Sequence, residues 1–172
     1  MYFELFPTVD YVNFGQTNSK TVTNITKRPA VRQAIKDNLT VFTKHIIRSG
    51  ETPESIAFDF YGDAELHWII LLTNDIYDRY HQWPMNVNQF QTYVNEKYSD
   101  PFATHHFEIS QTSGDTTIKI DIGQDDTDHS GATAVTNYQY EQDRQDILRQ
   151  IKLVDPDNVN QFVSDFSKLM EE

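Results

Sequence analysis

Residues 46–83 read IIRSGETPESIAFDFYGDAELHWIILLTNDIYDRYHQW, and the rest of the chain is arranged around them. Thr52 is a good helix N-cap, and Pro53 stands at the first helical position, where its fixed φ and missing N–H cost nothing. Ile56 and Phe60 fall four apart on one helical face, with Ala57 beside Ile56. Gly62 can take the left-handed conformation that ends a helix, and Asp63 is placed to cap the next one. Leu66, Ile69 and Ile70 then make one buried face, while Trp68, Leu71 and Leu72 add a second apolar face. A helix apolar nearly all round is either deeply buried or keeps one face for a partner.

Working outward, residues 39–47 are β-branched and aromatic enough to form a strand entering this unit, with Arg48-Ser49-Gly50 as the turn. Residues 75–83 carry Ile76, Tyr77, Tyr80 and Trp83 with few regular-structure signals, so this loop either tucks its aromatics under or presents them. Asn86 and Gln89 make a capping-box pattern, and Phe90, Tyr93, Val94 and Tyr98 come after it at helical spacing, predicting a helix over about 87–97. Residues 102–109 and 116–122 alternate as a β-hairpin, turned at Ser113-Gly114-Asp115. Residues 123–133 read as a flexible acidic loop, residues 137–150 as helix-compatible and residues 151–154 as a short strand. Asp155 and Pro156 then open a last helix, in which Val159, Phe162, Val163, Phe166, Leu169 and Met170 obey the i, i+3, i+4, i+7 rule. At the other end, Tyr2, Phe3, Leu5, Phe6, Tyr11, Val12 and Phe14 suggest an extended apolar arm. Residues 16–26 are too polar to fold alone and read as a loop or arm lying on something, and Pro29 can open a short helix reaching Asn38.

Composition narrows the function. In 172 residues the hydrophobic share is 38% and the aromatic share 13%, which suggests a modest core supplemented by contacts elsewhere. A net charge of −12 argues against nucleic acid or an anionic membrane surface as the main partner. Residues 1–50 are basic, with Lys20, Lys27, Arg28, Arg32, Lys36, Lys44 and Arg48 set against Glu4, Asp10 and Asp37. In residues 99–143 only Lys119 opposes the acidic side chains. With no cysteine there are no disulfides or thiolate sites, and neither a signal peptide nor a membrane-spanning run is visible.

No chemistry stands out. His45, His67, His81, His105, His106 and His129 form no chelating motif, and His105 and His106 are expected on opposite faces of a strand. Asp125, Asp126 and Asp128 lack the Gly and distal Glu of an EF-hand loop. Glu51 with Glu54, or Asp59 with Asp63, are carboxylate pairs that capping explains better than catalysis. No nucleophile elbow, Walker loop or dinucleotide fingerprint is present, so neither an enzyme nor a cofactor or metal site is expected.

The run G-E-T-P-E-S-I-A at residues 50–57, then Y-G-D and the L-x-W-x-I-x-x-x-N pattern of Leu66, Trp68, Ile70 and Asn74, resembles a LysM module. Such a module is a βααβ unit known mostly for binding peptidoglycan or chitin. With the Trp83-Pro84 exit and the I-K-L-V-D-P to K-L-M ending, the longer match resembles the baseplate wedge subunit of contractile-tailed phages, the gene product fifty-three type. The resemblance implies a structural subunit clamping neighbouring wedge proteins in the virion tail baseplate, assembled in the host cytoplasm. The alternative is a peptidoglycan-binding module acting in adsorption or lysis, its groove lined by residues 49–54 and 75–80; the predicted third helix, where a closing strand is due, counts against it.

The expected fold class is α+β, with a LysM-like βαα core, a third helix, a β-hairpin insertion, an extended N-terminal arm and a C-terminal amphipathic helix. The expected segments are an arm over 1–39, the core with its third helix over 40–98, and the hairpin, acidic loop and helical region over 99–172. Contacts with other wedge subunits are expected from Tyr2, Phe3, Phe6, Trp68, Leu71, Leu72, Tyr77, Tyr80 and Trp83.

Overall fold

In the computed structural model, which describes residues 2–15, 17–27, 41–112, 114, 117–124 and 129–171, the local signals of the central stretch become two helices. The short helix expected over 29–38 and the acidic run Asp125, Asp126 and Asp128 lie outside the described residues. Helix α1 (Pro53–Tyr61) opens with a capping box, in which the Ser55 N–H donates to Thr52 Oγ1 at 3.2 Å and the Thr52 N–H donates to Ser55 Oγ at 2.9 Å. It ends at Gly62, whose φ of 77° aims its N–H at the Phe58 carbonyl. Asp63 caps the next turn, accepting from the Glu65 N–H at 2.8 Å, but that turn is a 3-10 segment, Ala64–Leu66. Helix α2 (His67–Thr73) continues from it.

The chain is α+β and divides into two compact units, residues 1–83 with 150–172, and residues 84–149. In the first unit, strand β3 (Phe42–Ile46) pairs antiparallel with β7 (Gln150–Val154), Phe42 opposite Val154 and Ile46 opposite Gln150. The paired strands and helices α1 and α2 enclose two apolar clusters. One gathers Phe6, Phe42, Trp68, Ile69, Val154, Val159, Phe166 and Met170; the other gathers Ile47, Ile56, Ala57, Ile70, Ile151 and Leu153, with Trp83 packed on it. Three of the six apolar residues expected on the last helix, α6 (Pro156–Glu171), are buried. Phe162 and Val163 pack at the margin and Leu169 faces solvent. Asn74 joins the two layers: its side-chain amide donates to the Ile70 and Lys152 carbonyls, and its Oδ1 accepts the Lys152 N–H, each at 2.8 Å.

The N-terminal part departs from expectation. Residues 2–5 form a 3-10 turn, not an extended arm, and the polar segment 16–26 supplies one side of a hairpin. Strand β1 (Thr8–Val12) pairs with β2 (Ser19–Thr23), placing Val9 opposite Val22 and Tyr11 opposite Lys20. Alternating Thr and Val favour extended backbone despite their low hydrophobicity, and that signal is masked when the segment is judged on polarity alone.

The second unit begins at helix α4 (Val87–Lys97), capped by Asn86 and Gln89 as the pattern predicts, with Phe90 and Val94 buried. The hairpin is present as β4 (Thr104–Ser110) and β5 (Lys119–Gly123), and a third strand, β6 (Thr133–Thr136), adds to the other edge of β4. The segment 123–133 read as an acidic loop therefore runs into a strand, one too short to show an alternating pattern. Strand β6 passes directly into helix α5 (Asn137–Arg149). Its buried positions are Glu141 and Gln145, four apart, while Ile147 is exposed and the half-buried Tyr138 and Tyr140 pack their rings on Phe90 and His105.

Candidate functional site

The residues expected at contacts fall into two groups. Phe6 and Trp68 are buried in the first cluster, with the Trp68 and Phe166 rings 4.6 Å apart, so they hold the chain's own fold together. Leu71 and Leu72 are half-buried on α2, and Leu72 packs against that same cluster. Trp83 tucks onto the second cluster and donates from Nε1 to the Glu51 carbonyl at 2.9 Å. Three remain at the surface: Phe3 at 60% exposure, Tyr77 at 66% and Tyr80 at 91%. Tyr2 lies in the 3-10 turn at the N-terminus.

The two tyrosines sit on a loop that its own polar groups hold. Asp75 turns the chain at a φ of 55°, a conformation that Asp tolerates better than most residues. The Gln82 Oε1 accepts from the Tyr77 and Asp78 N–H groups at 2.7 and 2.8 Å, closing the loop on itself. Residues 79–82, read as irregular in sequence, form a single helical turn, α3 (Arg79–Gln82), capped by Asp78, which accepts from the Tyr80 N–H at 2.9 Å. The Asp78 carboxylate also pairs with His81 at 2.5 Å, and that hydrogen bond, with those from the turn, holds it below the usual carboxylate range.

The neighbouring loop before α1 is tied to this one. Arg79 Nη1 meets Glu54 Oε1 at 2.6 Å, and Trp83 reaches the Glu51 backbone. Glu51 itself accepts the Arg48 N–H at 2.8 Å and lies 3.2 Å from His45 Nε2. Burial pushes the Glu51 carboxyl up, but these bonds outweigh it and its titration is lowered. Glu51 and Glu54, a carboxylate pair in sequence, are thus engaged in loop architecture. What the loops leave outward is aromatic: two tyrosines on a backbone already ordered, the kind of surface that forms protein contacts at low entropy cost. Sequence reasoning missed the arginine and glutamine that order the loop; no local pattern marks an ion pair between residues so far apart.

Two side-chain clusters in the second unit were likewise not apparent. Glu141 is buried against Lys97 Nζ at 2.6 Å and the Tyr98 hydroxyl at 2.8 Å. His105 and His106, expected on opposite faces of β4, meet with their Nδ1 atoms 2.9 Å apart. The cause is a bulge: β4 advances two residues from Thr104 to His106 while β6 advances one, leaving His105 as the extra residue and re-aiming its ring. Among the described residues no group of three His, Asp or Glu side chains is placed to hold a metal ion. No helix among them is long and apolar enough to cross a membrane.

The family described as base plate wedge protein 53 matches residues 1–106 of this sequence, more than half of its length. The chain belongs to that family. Membership in the base plate wedge protein 53 family makes it a structural component of a phage baseplate wedge. It is also 25% identical over 143 residues to baseplate wedge protein gp53 of Enterobacteria phage T4, a match covering 74% of this chain and 72% of the relative.

Proposed function

We propose that this wedge component works as a clamp, holding neighbouring wedge proteins of a contractile-tail baseplate through surface aromatics on a rigid scaffold. It acts without catalysis, cofactor, metal or nucleic acid, and its place is the virion tail after assembly in the host cytoplasm. The observation that carries this reading is the family match over residues 1–106, which includes the tyrosine loop. The scaffold is read as a LysM-like βααβ unit. Its support is the order β3, α1, α2, β7, with β7 antiparallel to β3 and residues 84–149 set between the second helix and the closing strand. On this reading the segments 1–39, 40–98 and 99–172 contribute arm, adaptor core and a region that carries the closing strand and last helix.

The glycan-binding alternative is weaker. The two loops that would line a saccharide groove are joined by the Arg79–Glu54 ion pair and the Trp83–Glu51 hydrogen bond, so their polar groups are already engaged.

The test is co-purification from cells producing the phage, with the tagged chain set beside a Tyr77→Ser, Tyr80→Ser double variant. The wild type is expected to recover other wedge subunits stoichiometrically, and the variant to lose them at least tenfold with its thermal midpoint unchanged. Recovery of no wedge subunit by the wild type overturns the clamp; undiminished recovery by the variant removes the tyrosine loop from it. Sedimentation with insoluble peptidoglycan at micromolar protein decides the alternative, which ends if the chain stays in the supernatant.

A further inference from the structure

His105 and His106 together hold fewer protons than two separate imidazoles could. A hydrogen bond between two ring nitrogens needs one donor and one acceptor, so the 2.9 Å Nδ1···Nδ1 contact holds one proton, not two. On the far side of the buried His106 ring, Nε2 lies 3.1 Å from Glu108 Oε1; a carboxylate only accepts, so Nε2 donates. With both rings neutral, His106 carries its proton on Nε2 and His105 donates from Nδ1. One further proton is accommodated, because whichever ring becomes cationic donates across the pair. A second is not, because both Nδ1 atoms would then be donors facing each other.

We propose that this pair is a pH-sensitive latch between strand β4 and helix α5, closed by its single shared proton and released when both rings are protonated. The link to α5 is Tyr140. The His105 ring stacks on it at 3.9 Å with planes 12° apart, and the His106 ring meets it edge-on at 5.9 Å. Losing the Nδ1···Nδ1 bond frees His105 from that stack and loosens the first half of α5 from the sheet.

Several charges face the pair. Glu108 is on β4 itself, Asp121 stands opposite Glu108 on β5, and Asp143 and Arg144 come from α5, with Asp146 beside Asp143. The Arg144 guanidinium lies 5.8 Å over the Tyr140 ring. Asp143 is a separate titration of opposite sense. Burial, with repulsion from Glu108 and Asp146, raises it, so its contribution is present below the usual carboxylate range and lost above.

The unfolded chain takes up both added protons and the closed latch only one, so stability falls as pH drops through the range in which imidazoles gain charge.

The experiment uses the full chain with ¹⁵N-labelled histidine, reading by NMR which ring nitrogen holds the proton between pH 8 and 5. At pH 7.5 His106 is expected as the Nε2–H tautomer and His105 as the Nδ1–H tautomer. The chain's urea midpoint should fall with acid more steeply than that of His105→Asn, by a slope equivalent to about one proton. His106→Gln, should it fold, behaves like His105→Asn, and Asp143→Asn leaves the difference in place. Two Nε2–H tautomers at pH 7.5, or equal acid slopes in wild type and His105→Asn, would overturn the latch.

Discussion

Single side chains set the limits of the second unit's stability. Glu141 is almost fully buried and stays ionised because Lys97 and Tyr98 hold it. Burial pushes its carboxyl up, yet the hydrogen bonds from Lys97 and Tyr98 and the Lys97 and Arg144 charges outweigh that, and its titration is lowered. The hydrogen bond to Glu141 in turn raises Lys97. The glutamate's contribution is therefore present above the usual carboxylate range and lost as pH falls through its lowered value. The lysine's is full below the usual lysine range and lost only as pH rises through its raised value. Replacing Lys97 with Met strands a buried charge; as Lys97 is itself partly solvated, urea unfolding at pH 7 is expected to show a loss of about 2 kcal/mol. That deficit shrinks toward pH 4 as Glu141 takes up a proton, and a deficit independent of pH argues that lost packing, not the charge, is responsible. None of this was visible along the chain, since a glutamate in a helix reads as solvated until its neighbours in space are known.

At the scale of elements, two aromatic side chains on neighbouring helices play opposite parts. Trp68 on α2 lies against Phe162 and Phe166, whereas Tyr80 on α3 touches little. Trp68→Ala is expected to cost about 4 kcal/mol in chemical denaturation, and Tyr80→Ala no more than about 0.5 kcal/mol. Should the two variants prove equally stable, the separation of core from surface residues fails. Caps are where sequence spoke most clearly. Thr52, Pro53 and Gly62 for α1, Asn86 and Gln89 for α4, and Asp155 with Pro156 for α6 all act within a few residues, and each stands where its pattern put it. Loss of one cap, by Thr52→Ala, should lower stability by about 1 kcal/mol in the same assay. The surface of α2 was not settled by pattern, because an all-round apolar helix is compatible with burial or with a free face. Tertiary packing chose burial for Trp68 and partial burial for Leu71 and Leu72.

For the molecule as a whole, the first unit is closed by residues 150–172, far along the chain from residues 1–83. Strand β7 and helix α6 supply Ile151, Leu153, Val154, Val159, Phe166 and Met170 to its two clusters. Truncation after Arg149 is therefore expected to abolish the near-ultraviolet circular dichroism of Trp68, because β3 loses its ladder and both clusters lose a wall. Retention of that signal in the shortened chain counts against a shared core. By itself, the sequence determined the α+β class, the two central helices, the caps of the first of them, the helix at Val87–Lys97, the hairpin strands β4 and β5, the amphipathic last helix, and the family, because those signals are local or travel with a contiguous motif. Only the tertiary structure decided that β7 pairs with β3, that Asn74 binds both backbone groups of Lys152, that the tyrosine loop is ordered by Arg79 and Gln82, and that a bulge joins His105 to His106. The strand pairing, the Asn74 bonds and the Arg79–Glu54 pair depend on the path of the chain between their partners. The Gln82 bonds and the histidine contact depend on a local backbone shape that residue types do not reveal. Side-chain identity gives the chemistry available at a position, and the folded backbone alone gives its partner.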